Sequence, residues 1–274
     1  MQNNLGAIDL TKIGLLAPGA NPLTPSDEKG INEILRGRVH LNDGSSVTTY
    51  VKLLSKKQLI NELFGAELAR AVGMPVPEVF LVRIDKCDYE PLFTQHRIQS
   101  DSIVSFGSKD VGVKSLARRY QAEGEPFKKW FVKHCSLWKR VVSFDCWIAN
   151  IDRHLGNALI GGPDEFWLID HGHCFTGPTW IEQNLIPDSF FPNRLVDELS
   201  TVISSETRQA IITESANAQR IFNLADVEGI LSDSHSIDFL SASESSALIY
   251  FIEKRKSKIV EFVCSAVGLP LLPL

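Results

Sequence analysis

Between Phe144 and Phe175 the chain reads FDCWIANIDRHLGNALIGGPDEFWLIDHGHCF, and no other stretch limits the possible fold as tightly. Two apolar runs inside it, Ala158–Gly161 and Phe166–Ile169, have the length of short buried strands, and the intervening GGPDE carries turn residues. The spacing predicts a hairpin. Asp152 and Asn157 stand before its first strand and Asp170 follows its second. Pairing of the two strands would bring these three polar groups to one place.

Their chemistry suits a metal-bound phosphate. Hard cations such as Mg²⁺ take oxygen ligands, typically one or two carboxylates together with substrate phosphates. Phosphoryl transfer asks a protein mainly to position the phosphates and neutralise their charge. An Asp, an Asn five positions later and then an Asp-x-Gly is the protein-kinase pattern, met here as Asp152-RHLG-Asn157 and Asp170-His171-Gly172. In that pattern Asp170 and Asn157 are the metal ligands, and Asp152 takes or orients the proton of an acceptor hydroxyl. Taken singly, the three are an ordinary turn acid, an Asx turn and a strand-end carboxylate; their joint spacing argues for a site.

The segment Phe144-Asp145, Asn150-Ile151-Asp152-Arg153-His154 and Asn157, followed by Leu168-Ile169-Asp170-His171-Gly172, resembles the catalytic core of HipA-like kinases. More remotely it is similar to phosphatidylinositol kinases. The resemblance covers residues 33–200 and is sharp only from Asp152 to Gly172. It implies an α+β, bilobal protein-kinase-like fold, with a small β-rich N-lobe carrying one main helix and a larger, mostly helical C-lobe. It also implies ATP and Mg²⁺ as cofactors and a protein serine as acceptor, with an antitoxin-type partner that binds DNA in some relatives. Asp145 resembles a position that buttresses the catalytic loop.

Upstream, INEILRGRVHL and SSVTTYVKLL read as strands joined by the turn Asn42-Asp43-Gly44. In the second run Val47, Thr49 and Val51 alternate with Thr48, Tyr50 and Lys52, which puts Lys52 on the less apolar face. A solvated lysine is the plain reading; the resemblance instead makes Lys52 the group that holds the nucleotide phosphates. The turn Gly44-Ser45-Ser46 would lie over those phosphates with its backbone N–H groups as donors, and its serines would be sites of self-phosphorylation. Residues 56–72 follow a helical period with Ile60, Phe64, Leu68 and Ala71 in one stripe, closed by Gly73 and by Pro75 and Pro77. The glutamate partner of Lys52 has two candidates on this helix. Resemblance favours Glu62, whereas periodicity puts Glu67 in the apolar stripe, where an unpaired carboxylate is costly.

The remaining organisation is coarser. Residues 1–30 read as an irregular lead-in, 31–95 as the N-lobe and 96–274 as the C-lobe with its catalytic hairpin at 144–175. Residues 86–112 have weak periodicity and read as the crossover between lobes, whose backbone would meet adenine. Residues 115–149 and much of the chain after Phe175 read as helical. A net charge of −5 gives no electrostatic case for nucleic acid or an anionic membrane. No run is long enough to cross a bilayer, and five cysteines without a C-x-x-C pair suggest reduced thiols in a cytoplasmic protein. Two rival readings stand beside the kinase. One is a metal-dependent hydrolase built on Asp152, His154, Asp170, His171 and His173. The other is a non-catalytic nucleotide-binding module on a kinase frame.

Overall fold

A computed structural model describes residues 11–23, 33–162 and 165–270. The amino-terminal part is β-rich and the rest mainly helical, an α+β arrangement. Strands β1 (Lys12–Leu16), β2 (Asn21–Pro22), β3 (Ile34–Leu41) and β4 (Ser46–Lys52) precede helix α1 (Lys56–Ala71). Then come β5 (Val79–Asp85), α2 (Lys86–Gln95), β6 (Ser102–Lys109) and the short β7 (Lys114–Ser115). Helices α3 (Leu116–Glu123), α4 (Glu125–His134) and α5 (Trp138–Trp147) lead to the hairpin β8 (Ala158–Gly162) and β9 (Glu165–Leu168). Helices α6 (Arg194–Leu199), α7 (Ser205–Phe222), α8 (Val227–Asp233), α9 (Ala242–Arg255) and α10 (Ile259–Val267) follow.

The first sheet runs β1-β5-β6-β4-β3-β2, and β1 also pairs with β3, so five of its strands close into a small barrel. β1 makes the closure by running parallel to β5 on one side and antiparallel to β3 on the other. Its Gly14 is required by close approach, because a Cβ there would lie 2.4 Å from Val39 Cγ1. Alternation decides which side chains fill the barrel. Leu16, Leu35, Val39, Val51, Phe80 and Val82 point in, and Phe93 of α2 packs with them. The opposite face of β5, with Val79 and Leu81, packs under Leu59, Leu63 and Ala66 of α1.

Four expectations need correction. The lead-in at 1–30 is not irregular throughout: β1 and β2 lie within it, although residues 1–10 and 24–30 are outside the described residues. A five-residue strand of the composition KIGLL has little local signal, and non-local pairing on both edges makes it one. Next, β6 belongs to the barrel, pairing with β4 and β5, so the change from strands to helices falls at residues 110–113, not after 95. For the same reason residues 86–112 are mostly helix α2 and strand β6, not a crossover. Finally, the β3–β4 turn lies far from Lys52. The register pairs Ser46 with His40 and Lys52 with Ile34, at opposite ends of β4. At about 3.3 Å per residue these ends are roughly 20 Å apart, so Gly44, Ser45 and Ser46 cannot cover phosphates held by Lys52, nor be modified there within one molecule.

Helix α1 is buried on nearly every side, which is why one apolar stripe understated it. Ser55 caps its N-terminus in a reciprocal capping box with Gln58. Ile60, Phe64 and Leu68 face the helical core, which is built around Trp138, Phe144, Trp147, Phe175 and Phe222. The buried guanidinium of Arg255 ties this core together by donating to the carbonyls of Cys146, Trp147, Pro187 and Ser189. The hairpin forms as expected, with β7 on its outer edge, although residues 163–164 of its turn lie outside the described residues.

Candidate active site

A cleft opens between the barrel and the helical part. Tyr50 and Lys52 of β4, Glu62 of α1, Leu168 at the end of β9, and Asp170 and His171 just beyond it line it. Strand alternation puts Val51 inside the barrel and Lys52 outside, facing the cleft. The Lys52 ammonium donates to Glu62 Oε1 at 2.7 Å and lies 3.4 Å from Asp170 Oδ1. Glu62 is 1 % exposed, and its second oxygen accepts the backbone N–H of His171 at 2.7 Å. Burial alone would lower the Lys52 pKa, but the Asp170 and Glu62 carboxylates outweigh it and raise it. Burial would likewise raise the Asp170 carboxyl; Lys52 first and Arg153 second hold it down at about 2. Of the two glutamates, Glu62 meets Lys52. Glu67 is buried elsewhere, accepting from Thr11 Oγ1 at 2.9 Å and pairing with Arg70.

The loop from Asn150 to Asn157 is held by one buried ion pair. Arg153, 1 % exposed, donates from Nε to both carboxylate oxygens of Asp145 at 3.1 Å. Its Nη1 donates to the carbonyls of Asn157 at 2.9 Å and Ile169 at 2.5 Å. Burial pushes the Asp145 carboxyl up to about 6, against the pull of Arg153. The Asp145 side chain also accepts from Asn150, whose own oxygen accepts the Asp152 N–H at 3.1 Å. Asp145 therefore buttresses the loop, in keeping with the resemblance.

The hairpin brings the backbone before its first strand beside the turn that follows its second. Ala158 pairs with Leu168, and the Ile169 N–H donates to the Asn157 carbonyl at 3.1 Å, which sets Asn157 beside the Asp170 turn. The Asn157 amide donates to the Asp152 carbonyl at 3.0 Å, fixing its orientation. Asp170 itself has φ +61°, a left-handed conformation uncommon for residues other than glycine, asparagine and aspartate. Its carboxylate remains 44 % exposed and negatively charged.

Asp152 is held by a group that sequence reading missed. Arg194, at the start of α6, donates from Nη1 to Asp152 Oδ1. Glu198, one turn later, accepts the Leu155 N–H at 2.9 Å and lies 3.6 Å from Arg194 Nε. Asn61 was also missed as a structural clamp. Its amide donates to the carbonyls of Gly172, Cys174 and Gly177 at 2.9–3.0 Å and accepts from Trp180 Nε1 at 2.8 Å. No local periodicity marks such pairs, because each joins segments far apart in the chain.

An ionised, half-exposed carboxylate with a nearby amide and an adjacent ammonium is a donor set that fits a Mg²⁺-bound phosphate chain. It does not resemble a zinc site. Among the described residues, no group of three or more His, Cys, Asp or Glu side chains is placed to hold a metal ion. His171 is buried and held neutral by desolvation, with Arg153 acting in the same direction. Among the described residues no helix is long and apolar enough to cross a membrane.

A family model described as "HipA-like kinase" matches residues 41–188, more than half of the chain. Among curated proteins, none matches significantly.

Proposed function

Because the chain belongs to the HipA-like kinase family, we propose that it is an ATP- and Mg²⁺-dependent phosphotransferase that passes the terminal phosphoryl group of ATP to a protein hydroxyl. The barrel with α1 would serve as the small lobe of a bilobal kinase-like frame, and the helical part as the large lobe. Residues 110–113, which join them along the cleft, would present backbone groups to adenine. The observation that carries the reading is the grouping of Lys52, Glu62 and Asp170 on the wall of that cleft.

Each residue then has a physical task. Lys52 donates to the inner phosphates, and Glu62 keeps its ammonium charged and aimed despite burial. Asp170 and Asn157 would hold Mg²⁺, which when bound supplies neutralisation of the phosphate charge. Asp152, with its loop fixed through Asp145 and Arg153, receives the proton of the acceptor hydroxyl. Arg153 joins this loop to the Asp170 turn, so that the two acids keep their relative placement.

Isothermal titration with ATP tests the nucleotide site. ATP should bind in the presence of Mg²⁺, bind far more weakly in its absence, and be lost in a Lys52→Met variant that still folds. Failure of the folded wild-type chain to bind ATP with Mg²⁺ would overturn the proposal.

A further inference from the structure

Helix α6 is short and anchored by the buried Leu195, Val196 and Leu199, while Arg194 and Glu198 turn toward the loop that carries Asp152. Arg194 engages only Oδ1 of Asp152; among the described residues no donor reaches Oδ2. The Asp152 side chain is 32 % exposed and that of Arg194 49 %. Solvent therefore reaches both sides of the pair, and one carboxylate oxygen is left for an incoming group. A guanidinium carries five N–H donors in a rigid fork and matches phosphate oxygens in pairs. Here Nη1 is used on Asp152 and Nε faces Glu198.

Resting on the kinase reading above, we infer that Arg194 is a positioning residue for the acceptor side of the reaction. It holds Asp152 by Oδ1 so that Oδ2 faces the acceptor hydroxyl, and its outer N–H groups lie beside the phosphoryl group as it arrives. In the transfer the acceptor oxygen forms a bond to the terminal phosphorus. The bond from that phosphorus to the bridging oxygen breaks, its electron pair leaving with ADP, and the hydroxyl proton passes to Oδ2 of Asp152. Arg194 neither gives nor takes a proton. Glu198 fixes the arrangement from below, since it holds both the Leu155 backbone and the Arg194 side chain. The acceptor approaches over the open face of the Asp152 side chain, which is 32 % exposed.

The test compares the full-length wild type with Arg194→Gln, Arg194→Lys and Arg194→Ala, using dephosphorylated casein and water as acceptors and titrating MgATP separately. Arg194→Gln should melt like the wild type and bind MgATP within about twofold, with kcat toward casein lower by roughly tenfold to a hundredfold. Free guanidinium ion should restore part of the rate in Arg194→Ala, a rescue that a purely structural role would not produce. Unchanged kcat and KM in Arg194→Gln would overturn the inference and leave the kinase reading standing. A rise in kcat would also overturn it, by making Arg194 an inhibitory clasp. So would a loss in Arg194→Gln that tracks unfolding while Arg194→Lys stays fully active. If the wild type neither binds MgATP nor transfers phosphate to casein, itself or water, the kinase reading fails first and this inference falls with it.

Discussion

The carboxylate of Glu62 meets the ammonium of Lys52 at 2.7 Å across the seam between α1 and β4, with the glutamate almost wholly out of water. Breaking a buried pair by removing one partner costs about 3–5 kcal/mol, because the other charge is left uncompensated. Glu62→Ala should therefore unfold at lower urea, by about that amount, and lose MgATP binding. A Lys52→Met/Glu62→Met double variant, which removes both charges and keeps volume, should recover much of the stability but none of the binding. Urea melts and MgATP titrations of the three proteins check both statements.

At Asp170 the backbone separates two kinds of substitution. With φ +61° the position accepts asparagine, whereas a β-branched residue there is strained. Asp170→Asn should fold normally while binding ATP far more weakly in the presence of Mg²⁺. Asp170→Val should lose about 1–3 kcal/mol of stability in addition. Thermal melts beside nucleotide titrations distinguish the charge effect from the backbone effect.

The same carboxylate fixes a pH dependence. Lys52 and Arg153 pull it from its ordinary value of 3.8 down to about 2 against the effect of burial. For a depressed acid, the favourable interaction is fully present above the ordinary value and is lost as pH falls through the folded one. The gap in MgATP affinity between wild type and Asp170→Asn should thus stay constant from about pH 8 to about pH 5. Titration calorimetry across that range checks it, and a midpoint near neutrality would contradict the assignment.

Gly65 gives a test whose sign is informative. In an ordinary helix interior, glycine to alanine gains about 1 kcal/mol. Here the new Cβ would lie 2.8 Å from His171 Cβ, where α1 presses on the loop that follows Asp170. Gly65→Ala should instead lose about 1–3 kcal/mol from overpacking and weaken nucleotide binding, because the same loop donates the His171 N–H to Glu62. A stabilised, fully binding variant would show that this contact has slack.

The polar clamp beside it carries a dynamic prediction. Asn61 joins α1 to the carbonyls of residues 172, 174 and 177 and to Trp180. Asn61→Ala should cost about 1–3 kcal/mol and speed amide hydrogen exchange selectively across residues 172–180. Uniform exchange changes, or none, would mean that the segment is held by its packing alone.

What could be read in advance divides along the range of the forces. The β8–β9 hairpin, the alternation that turns Lys52 outward and the helix ending at Gly73 are local patterns, and the structure has them. The choice between Glu62 and Glu67 needed tertiary information: both are buried, and only the placement of Thr11, Arg70 and Lys52 separates them. β1 was invisible because pairing with β3 and β5 forms it, not its own five residues. The phosphate-covering role expected of Gly44, Ser45 and Ser46 failed on register, since proximity in sequence to Lys52 becomes distance once β4 is extended. Arg194, 42 residues from Asp152, left no local trace at all.

The most direct measurement is transfer of label from γ-labelled ATP to protein in the presence of Mg²⁺, with a cell lysate as the source of acceptors, comparing the wild type with Asp152→Asn. The account predicts labelled protein bands with the wild type and none above background with the variant, although both bind MgATP. Equal labelling by the two, or no labelling by a wild type that is folded and nucleotide-bound, would contradict it.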